Sequence, residues 1–350
     1  MNLPGLFFRH PEPYRNKVRL YPVFLPFAGC PDRCIYCSQE TQTGQPIIHL
    51  KTIARKMHDD IYSEFSSSGK TFALGFFGGT FTAMPRHRQL LFLNLARELK
   101  DMGALSHVRC STRPDYVNQD QLRLLQDYGV DMVELGVQSF DSRVLSLSRR
   151  GYTGDKALEA SWMVKKSRMD LGIQLMPGLP GSNPGTFAGD MRITEELKPS
   201  ALRLYPCLVL ANTPLANLWS RGEYRPWILQ TTQALISNAL LRMWAAGIPV
   251  IRVGLAPETS LLSEIIAGPW HPALGSICRG LALGAYVAAM TARLGHPPAR
   301  IFVPEKYIGD FWGHKMQNAG LFRRLGIFRK NTQAWKKELF LLAGAAHQLP

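Results

Sequence analysis

Acidic residues are scarce in this 350-residue chain: 26 Asp and Glu stand against 41 Lys and Arg, a formal net charge of +15. Charged residues make up only 19% and apolar residues 46%, which excludes wholesale disorder and supplies a packed core. Long hydrophobic runs are missing. The longest, Gly280 to Met290, has eleven residues and is too short for a bilayer. The opening MNLPGLFFRHPEPYR has no basic stretch leading into an apolar one, so no secretory signal and no membrane partner are expected, and the location expected is cytoplasmic. Cysteine is sparse, six in all, and a disulfide framework is not expected without a secretion signal. Internal repeats and low-complexity tracts are absent as well.

What is there begins with the excess of positive charge. It suits a polyanionic partner, nucleic acid first, although a basic proteome or a solvated face has the same charge balance. Between Phe311 and Phe340, seven basic residues (Lys315, Arg323, Arg324, Arg329, Lys330, Lys336, Lys337) face one acid, Glu338. Phe311, Trp312, Phe322, Phe328 and Trp335 are interleaved with them, as on a nucleic-acid surface or on a basic amphipathic helix packed against a domain.

Seven β-type runs are spaced along the chain: 18–27, 71–77, 107–112, 132–138, 171–176, 202–205 and 249–253. Helical patterns fall between them. Ile53, Met57, Ile61 and Phe65 share one face, Asn118 caps a helix burying Leu122 and Leu125, and Pro226–Gly247 reads as another helix. Alternation at this spacing predicts parallel βα units, in a partial barrel or a doubly wound sheet. The rhythm stops near Pro257. The expected organisation is an N-terminal extension (1–17), a βα domain (18–257) and a basic, mainly helical appendage (258–350).

Three of the six cysteines, Cys30, Cys34 and Cys37, form C-x3-C-x2-C directly after the first β-type run. Three thiolates on one loop can hold three irons of a [4Fe–4S] cube and leave the fourth open. Zinc is the alternative, but its sites usually pair two C-x2-C knuckles and no second knuckle exists here. Gly78-Gly79-Thr80 ends the second run and reads, taken alone, as a tight βα turn. Ser111-Thr112-Arg113 ends the third. Glu134, Gly136 and Gln138 alternate on the fourth and point one way; a buried Glu134 needs a cationic partner such as Arg113 or Arg203. Gln174 and Met176 repeat the alternation on the fifth run, and Arg203 and Tyr205 on the sixth. His271, isolated in a Gly/Pro-rich turn, reads as structural.

The cysteine motif with Tyr36 before its last thiol resembles the radical S-adenosylmethionine (SAM) superfamily. Further segments resemble a narrower group, the Elongator catalytic subunit and its bacterial relatives lacking an acetyltransferase domain. They are GFFGGTFT (75–82), STRPDY (111–116), ELGVQS (134–139), RGYT (150–153), QLMPGLPG (174–181), RLYP (203–206) and AGPWHP (267–272). The resemblance implies a partial (β/α)6 barrel and a [4Fe–4S] cluster on Cys30, Cys34 and Cys37. It implies SAM-binding residues at Gly78, Gly79, Thr80, Ser111, Arg113, Gln138, Gln174 and Met176. It also implies a low-potential electron donor of flavodoxin or ferredoxin type, and tRNA or another RNA as substrate; the catalytic residues toward that substrate are not indicated. The rival expectations are a small-molecule substrate such as a tetrapyrrole, and a non-catalytic iron–sulfur scaffold or electron carrier. About ninety residues follow Pro257, fewer than the roughly 150 expected for an acetyltransferase fold. RGLALG (279–284) differs by Ala282 from a CoA-pyrophosphate turn and is read as coincidence.

Overall fold

The computed structural model of the chain describes residues 5–13, 18–30, 34–38 and 49–344; Pro31, Asp32 and Arg33 of the cysteine motif lie outside the described residues. The chain forms two compact units, one of Tyr14–Ile228 with Ile248–Trp270, the other of Met1–Pro13, Leu229–Gly247 and His271–Pro350. Each is taken by itself below, with strands numbered along the whole chain; β1 (Leu6–Phe8) belongs to the second unit.

In the first unit the β-type runs become β2 (Arg19–Phe24), β3 (Phe72–Phe77), β4 (Leu105–Thr112), β5 (Met132–Gln138), β6 (Asp170–Leu175) and β7 (Ala201–Leu204). A short β8 (Val209–Leu210) follows, then β9 (Val250–Val253). Seven of these form one all-parallel sheet in the order β2-β3-β4-β5-β6-β7-β9. Strands β3 and β5 are buried almost without interruption, the pattern of a parallel sheet covered on both faces. Strand order follows chain order with no reversal, which excludes a doubly wound sheet, since that fold reverses at a switch point. Edges β2 and β9 do not pair with each other among the described residues, so the α/β fold is a partial barrel, with a seventh strand beyond the six βα units expected. β8 pairs instead with β10 (Ile265–Ala267).

Local sequence sets the helices that cover the sheet. Leu50–Ser68 buries Met57 and Ile61 and ends at Gly69, whose φ of 66° is left-handed. Gln119–Asp127 starts at Asn118, whose side chain accepts from the Gln121 amide, and buries Leu122 and Leu125. Thr153 and Asn183 cap Gly154–Lys166 and Pro184–Leu197 in the same way. Strands therefore deliver their C-terminal ends to one rim, where parallel βα units place their chemistry.

The second unit is built on the helix Leu274–Leu294, against which Leu229–Ala245 packs. It also carries a sheet that periodicity had not revealed, ordered β1-β13-β11-β12, from β11 (Arg300–Pro304), β12 (Thr332–Trp335) and β13 (Phe340–Ala343). By length and composition the 21-residue helix Leu274–Leu294 would suffice to cross a membrane, although its longest uninterrupted apolar run would not; more than half of its apolar window is buried inside this unit. Gly280 and Gly284 sit mid-helix, their amides in the helical ladder, and a Cβ on either would meet the side chain of Gln317 or Asn318 at 2.8 Å. They serve close packing and form no pyrophosphate turn. Phe311, Phe322 and Phe340 of the basic segment are fully buried, so much of its aromatic interleaving is core. Phe328 stays exposed, with Lys330 over its ring.

Asn318 joins two parts of this core: its Nδ2 donates to the Gly280 carbonyl at 2.8 Å and the Phe311 carbonyl at 2.9 Å. Asn318→Leu removes both bonds from the buried core, so unfolding in urea is expected to show a loss of about 2 kcal/mol. An unchanged midpoint would contradict this account of the unit.

Candidate functional site

The rim of the partial barrel opens on a cavity of about 530 Å³, in the usual range for a small-molecule ligand. Cys30, Cys34 and Cys37 line it. So do Gly78, Gly79, Thr80, Ser111, Arg113, Gln138, Gln174 and Met176, so every residue singled out by sequence for cofactor contact lies on one surface.

The cysteine loop is docked by backbone. The Thr80 amide donates to the Ala28 carbonyl at 2.8 Å, and the Cys30 amide to the Phe27 carbonyl at 3.0 Å. Two glycines make the approach possible. A Cβ on Gly79 would lie 2.2 Å from the Ala28 carbonyl oxygen, and one on Gly29 would lie 2.3 Å from that of Thr80. Gly78, at φ 92°, turns the chain out of β3. Cys30 Sγ lies 3.4 Å from Thr80 Oγ1. Cys34, Ile35 and Tyr36 are buried beside Leu179 and Cys207, so the loop is also anchored by packing.

Strand alternation sets the polar floor. Glu134 is buried and sits between two guanidinium groups, with Arg109 Nη1 at 2.9 Å from Oε1 and Arg203 Nε at 2.9 Å from Oε2. Gly172 makes room for it, since a Cβ there would meet Glu134 Cγ at 2.7 Å. The partner expected from sequence was Arg113 or Arg203. Arg203 is one, but Arg113 instead grips both oxygens of Asp115, at 3.0 and 2.7 Å, because the Pro114 turn brings that carboxylate back to it. Both Arg109 and Arg203 lie over the Phe77 ring, 5.5 and 4.8 Å from its centre. Burial, helped by Arg203, lowers the Arg109 pKa; burial also opposes the Arg203 charge, but Glu134 and Tyr205 outweigh it and raise that pKa.

At the end of β5, Gln138 adopts a left-handed φ of 68°, costly for a residue with a side chain. Its Oε1 accepts from Gln174 Nε2 at 3.3 Å and its carbonyl from the Met176 amide at 2.8 Å. The next turn is pinned by buried Asp190, which accepts from the Phe140 amide at 2.7 Å and from Ser139 Oγ at 3.0 Å. Tyr205 accepts from Arg203 Nη1 at 3.0 Å, so both line the cavity as a pair. His271 accepts from the Ala273 amide at 3.0 Å, as a structural turn residue would.

Sequence reasoning gave no role to Arg150, although it lies within the RGYT segment. Its side chain is buried; Nη1 donates to Cys34 Sγ at 2.8 Å, and Nη2 to the Gly136 carbonyl at 2.7 Å and Tyr152 Oη at 2.8 Å. Burial works against its charge, but Tyr152, Tyr36 and Cys34 around it outweigh that and raise its pKa well above the usual value. Arg252 and Glu258 were also missed as cavity residues; Arg252 lies on β9 and Glu258 follows it.

Three observations fit an iron–sulfur cluster with an attached cofactor. Thiols are the donors such a cluster takes. The Tyr36 hydroxyl, buried at the same wall, has no hydrogen-bond partner among the described residues. The Gly29–Gly79 contact seats the thiol-bearing loop directly on the turn after β3, backbone against backbone. Among the described residues no three His, Cys, Asp or Glu side chains converge on a single-ion site, whereas thiols binding separate corners of a cube need not converge.

Two family models match the chain: the Radical SAM superfamily over residues 24–193 and the Radical_SAM C-terminal domain over residues 199–280. A tRNA uridine(34) acetyltransferase of Methanocaldococcus jannaschii is 34% identical over 134 residues, covering 37% of this chain and 24% of that protein. The protein of that name from Dehalococcoides mccartyi is 26% identical over 242 residues, covering 60% of this chain and 53% of its own. The chain thus spans about a quarter to about half the length of these relatives. Among solved structures, N-terminally truncated archaeal Elp3 of Methanocaldococcus infernus superposes with a TM-score of 0.59 at 21% identity, over 79% of this chain and 64% of that one, a likeness of fold.

Two predictions follow from the geometry. Gly79→Ala is expected to destabilise the protein by about 3 kcal/mol, at the upper end of overpacking penalties, because the Cβ meets backbone; a wild-type denaturation midpoint would refute the docking. Burial pushes the Asp190 carboxyl up to about 7, against the Phe140 and Ser139 hydrogen bonds. The native state then holds a proton that the unfolded chain releases, so the contribution of Asp190 to stability is greatest below the ordinary value of 3.8 and is lost as pH rises to about 7. Asp190→Asn keeps the acceptor and is expected to flatten a slope of about 1.4 kcal/mol per pH unit at most. Urea midpoints for both proteins between pH 5 and pH 7 decide it; parallel profiles would remove Asp190 from the pH dependence.

Proposed function

Because the chain belongs to the radical SAM superfamily and is an enzyme of that group, we propose that Cys30, Cys34 and Cys37 ligate a [4Fe–4S] cluster and that the surrounding strand ends bind SAM. The observation that carries this reading is the convergence of three thiols, the Gly78–Gly79–Thr80 turn and the polar ends of three further strands on one cavity. When bound, the cluster and SAM supply one-electron cleavage of a sulfonium C–S bond, giving methionine and a 5′-deoxyadenosyl radical that takes a hydrogen atom from the substrate.

The chain's own residues position and shield. Gly78 and Gly79 present carbonyls to the cofactor's ammonium, with no side chain between. Arg113, held rigid by Asp115, offers charge to its carboxylate, and the Ser111 hydroxyl serves the ribose. The Gln138–Gln174 pair and the Met176 backbone form the wall for the base. Apolar Phe24, Phe77 and Leu208 exclude water from the same space. A flavodoxin- or ferredoxin-type donor supplies the electron. We place the enzyme in the cytoplasm; among the described residues no disulfide joins the six cysteines.

For the substrate we favour RNA, tRNA in particular. Support comes from the tRNA-directed names of the relatives and from the net charge of +15.

Anaerobic reconstitution tests the reading. About four irons and four sulfides per chain are expected, with 5′-deoxyadenosine released from SAM under dithionite and none from the protein with Cys30, Cys34 and Cys37 changed to Ala. Affinity for tRNA should fall steeply between 50 and 200 mM salt, roughly 10³-fold or more if six phosphates are contacted. A cluster that never cleaves SAM would leave a scaffold, bound zinc would end the radical reading, and no tRNA binding at low salt would remove RNA as substrate.

A further inference from the structure

Arg150 is a buried guanidinium with no carboxylate beside it among the described residues. Removing an arginine from water costs several kcal/mol unless an anion compensates it. Elsewhere in the cavity wall that rule is kept: Arg113 has Asp115, and Arg109 and Arg203 share Glu134. Arg150 has no carboxylate within ion-pair distance among the described residues. Its polar partners are the Gly136 carbonyl, the Tyr152 hydroxyl and Cys34 Sγ. The Tyr152 hydroxyl in turn donates to the Gly136 carbonyl at 2.8 Å, and its ring lies 5.1 Å from the guanidinium carbon, so the group is aimed and braced from two sides. Among these described partners, the Cys34 sulfur is the one that would carry a full negative charge as a metal-bound thiolate.

We propose that Arg150 is the built-in counter-cation of the cluster and a positioning residue for Cys34, setting the potential at which the cluster accepts its electron. The inference rests on the reading of Cys30, Cys34 and Cys37 as cluster ligands. A cube held by three thiolates is net negative and gains one further negative charge when a donor of flavodoxin or ferredoxin type reduces it by one electron. A fixed positive charge and a hydrogen bond at a ligand sulfur favour the more negative state and raise the reduction potential. The fork geometry suits the task, since one guanidinium reaches the sulfur, the β5 carbonyl and the tyrosine together, which an ammonium cannot.

The test is a redox titration of the reconstituted full chain, followed by the electron paramagnetic resonance of the reduced cluster, with iron and sulfide counted first. Arg150→Gln keeps a donor and removes the charge. At a potential near the wild-type midpoint its reduced-to-oxidised ratio is expected to fall about tenfold, equivalent to ~59 mV for one electron. Arg150→Lys keeps the charge without the fork and is expected to fall about threefold, as loss of one charge-assisted contact implies. A full iron complement with the wild-type midpoint in Arg150→Gln overturns the inference. If that variant does not fold, Arg150→Lys decides alone, and an unchanged midpoint there overturns it equally. Failure of the wild-type chain itself to hold a cluster refutes the ligand reading on which the inference stands and leaves Arg150 without this role, a result separate from an unshifted potential.

Discussion

The contact between Ala28–Gly29 and Gly79–Thr80 is the constraint on which the site depends. A loop carrying three thiols could take many paths after β2; here its main chain is laid directly on the main chain that leaves β3. Neither Gly29 nor Gly79 has room for one more carbon, and the Thr80 amide and Ala28 carbonyl close the gap at 2.8 Å. Because backbone cannot repack as a side chain can, the thiols inherit the rigidity of a parallel sheet. The turn that would cradle a cofactor and the loop that would hold its cluster are thereby one structure.

Charge placement follows from the same barrel geometry. Alternation on β4, β5 and β7 brings Arg109, Glu134 and Arg203 together at mid-strand, where their mutual pairing offsets the loss of water. Nearer the strand ends the pattern changes. Gln138 is held in a strained conformation by neighbours on β6, and Arg150 points at a sulfur in place of a carboxylate. The strain at Gln138 and the unbalanced charge of Arg150 thus both lie at the cavity wall, as expected where structure serves function.

Much of this was legible in the chain itself. All seven parallel strands coincide with β-type runs, most plainly β3, which is buried almost throughout and reads as a nearly continuous apolar segment. Asn118 marked a helix start through chemistry that acts locally. Cys30, Cys34, Cys37 and the Gly78–Gly79 turn stood out for the same reason: their spacing is fixed within a few residues. What failed was non-local. The partner of Glu134 could not be chosen from sequence, because the register sets Ser111 of β4 opposite it, and Arg109, two residues earlier on the same face, reaches it only through its long side chain. The grouping of Leu229–Ala245 with the C-terminal helix, and the pairing of β1 with β13 across more than 300 residues, depend on long-range packing that no periodicity encodes. Aromatic residues among the basic ones of the last segment fitted either a nucleic-acid surface or a packed amphipathic face, and Phe311 and Phe322 turn inward.

Mössbauer spectroscopy of the iron-reconstituted chain, with and without SAM, tests the central claim most directly. Three protein thiolates leave one iron of the cube without a cysteine ligand, so one iron in four should change its isomer shift when SAM is added, while the other three stay as they were. Four equivalent irons indifferent to SAM, or no cube at all, would contradict the account.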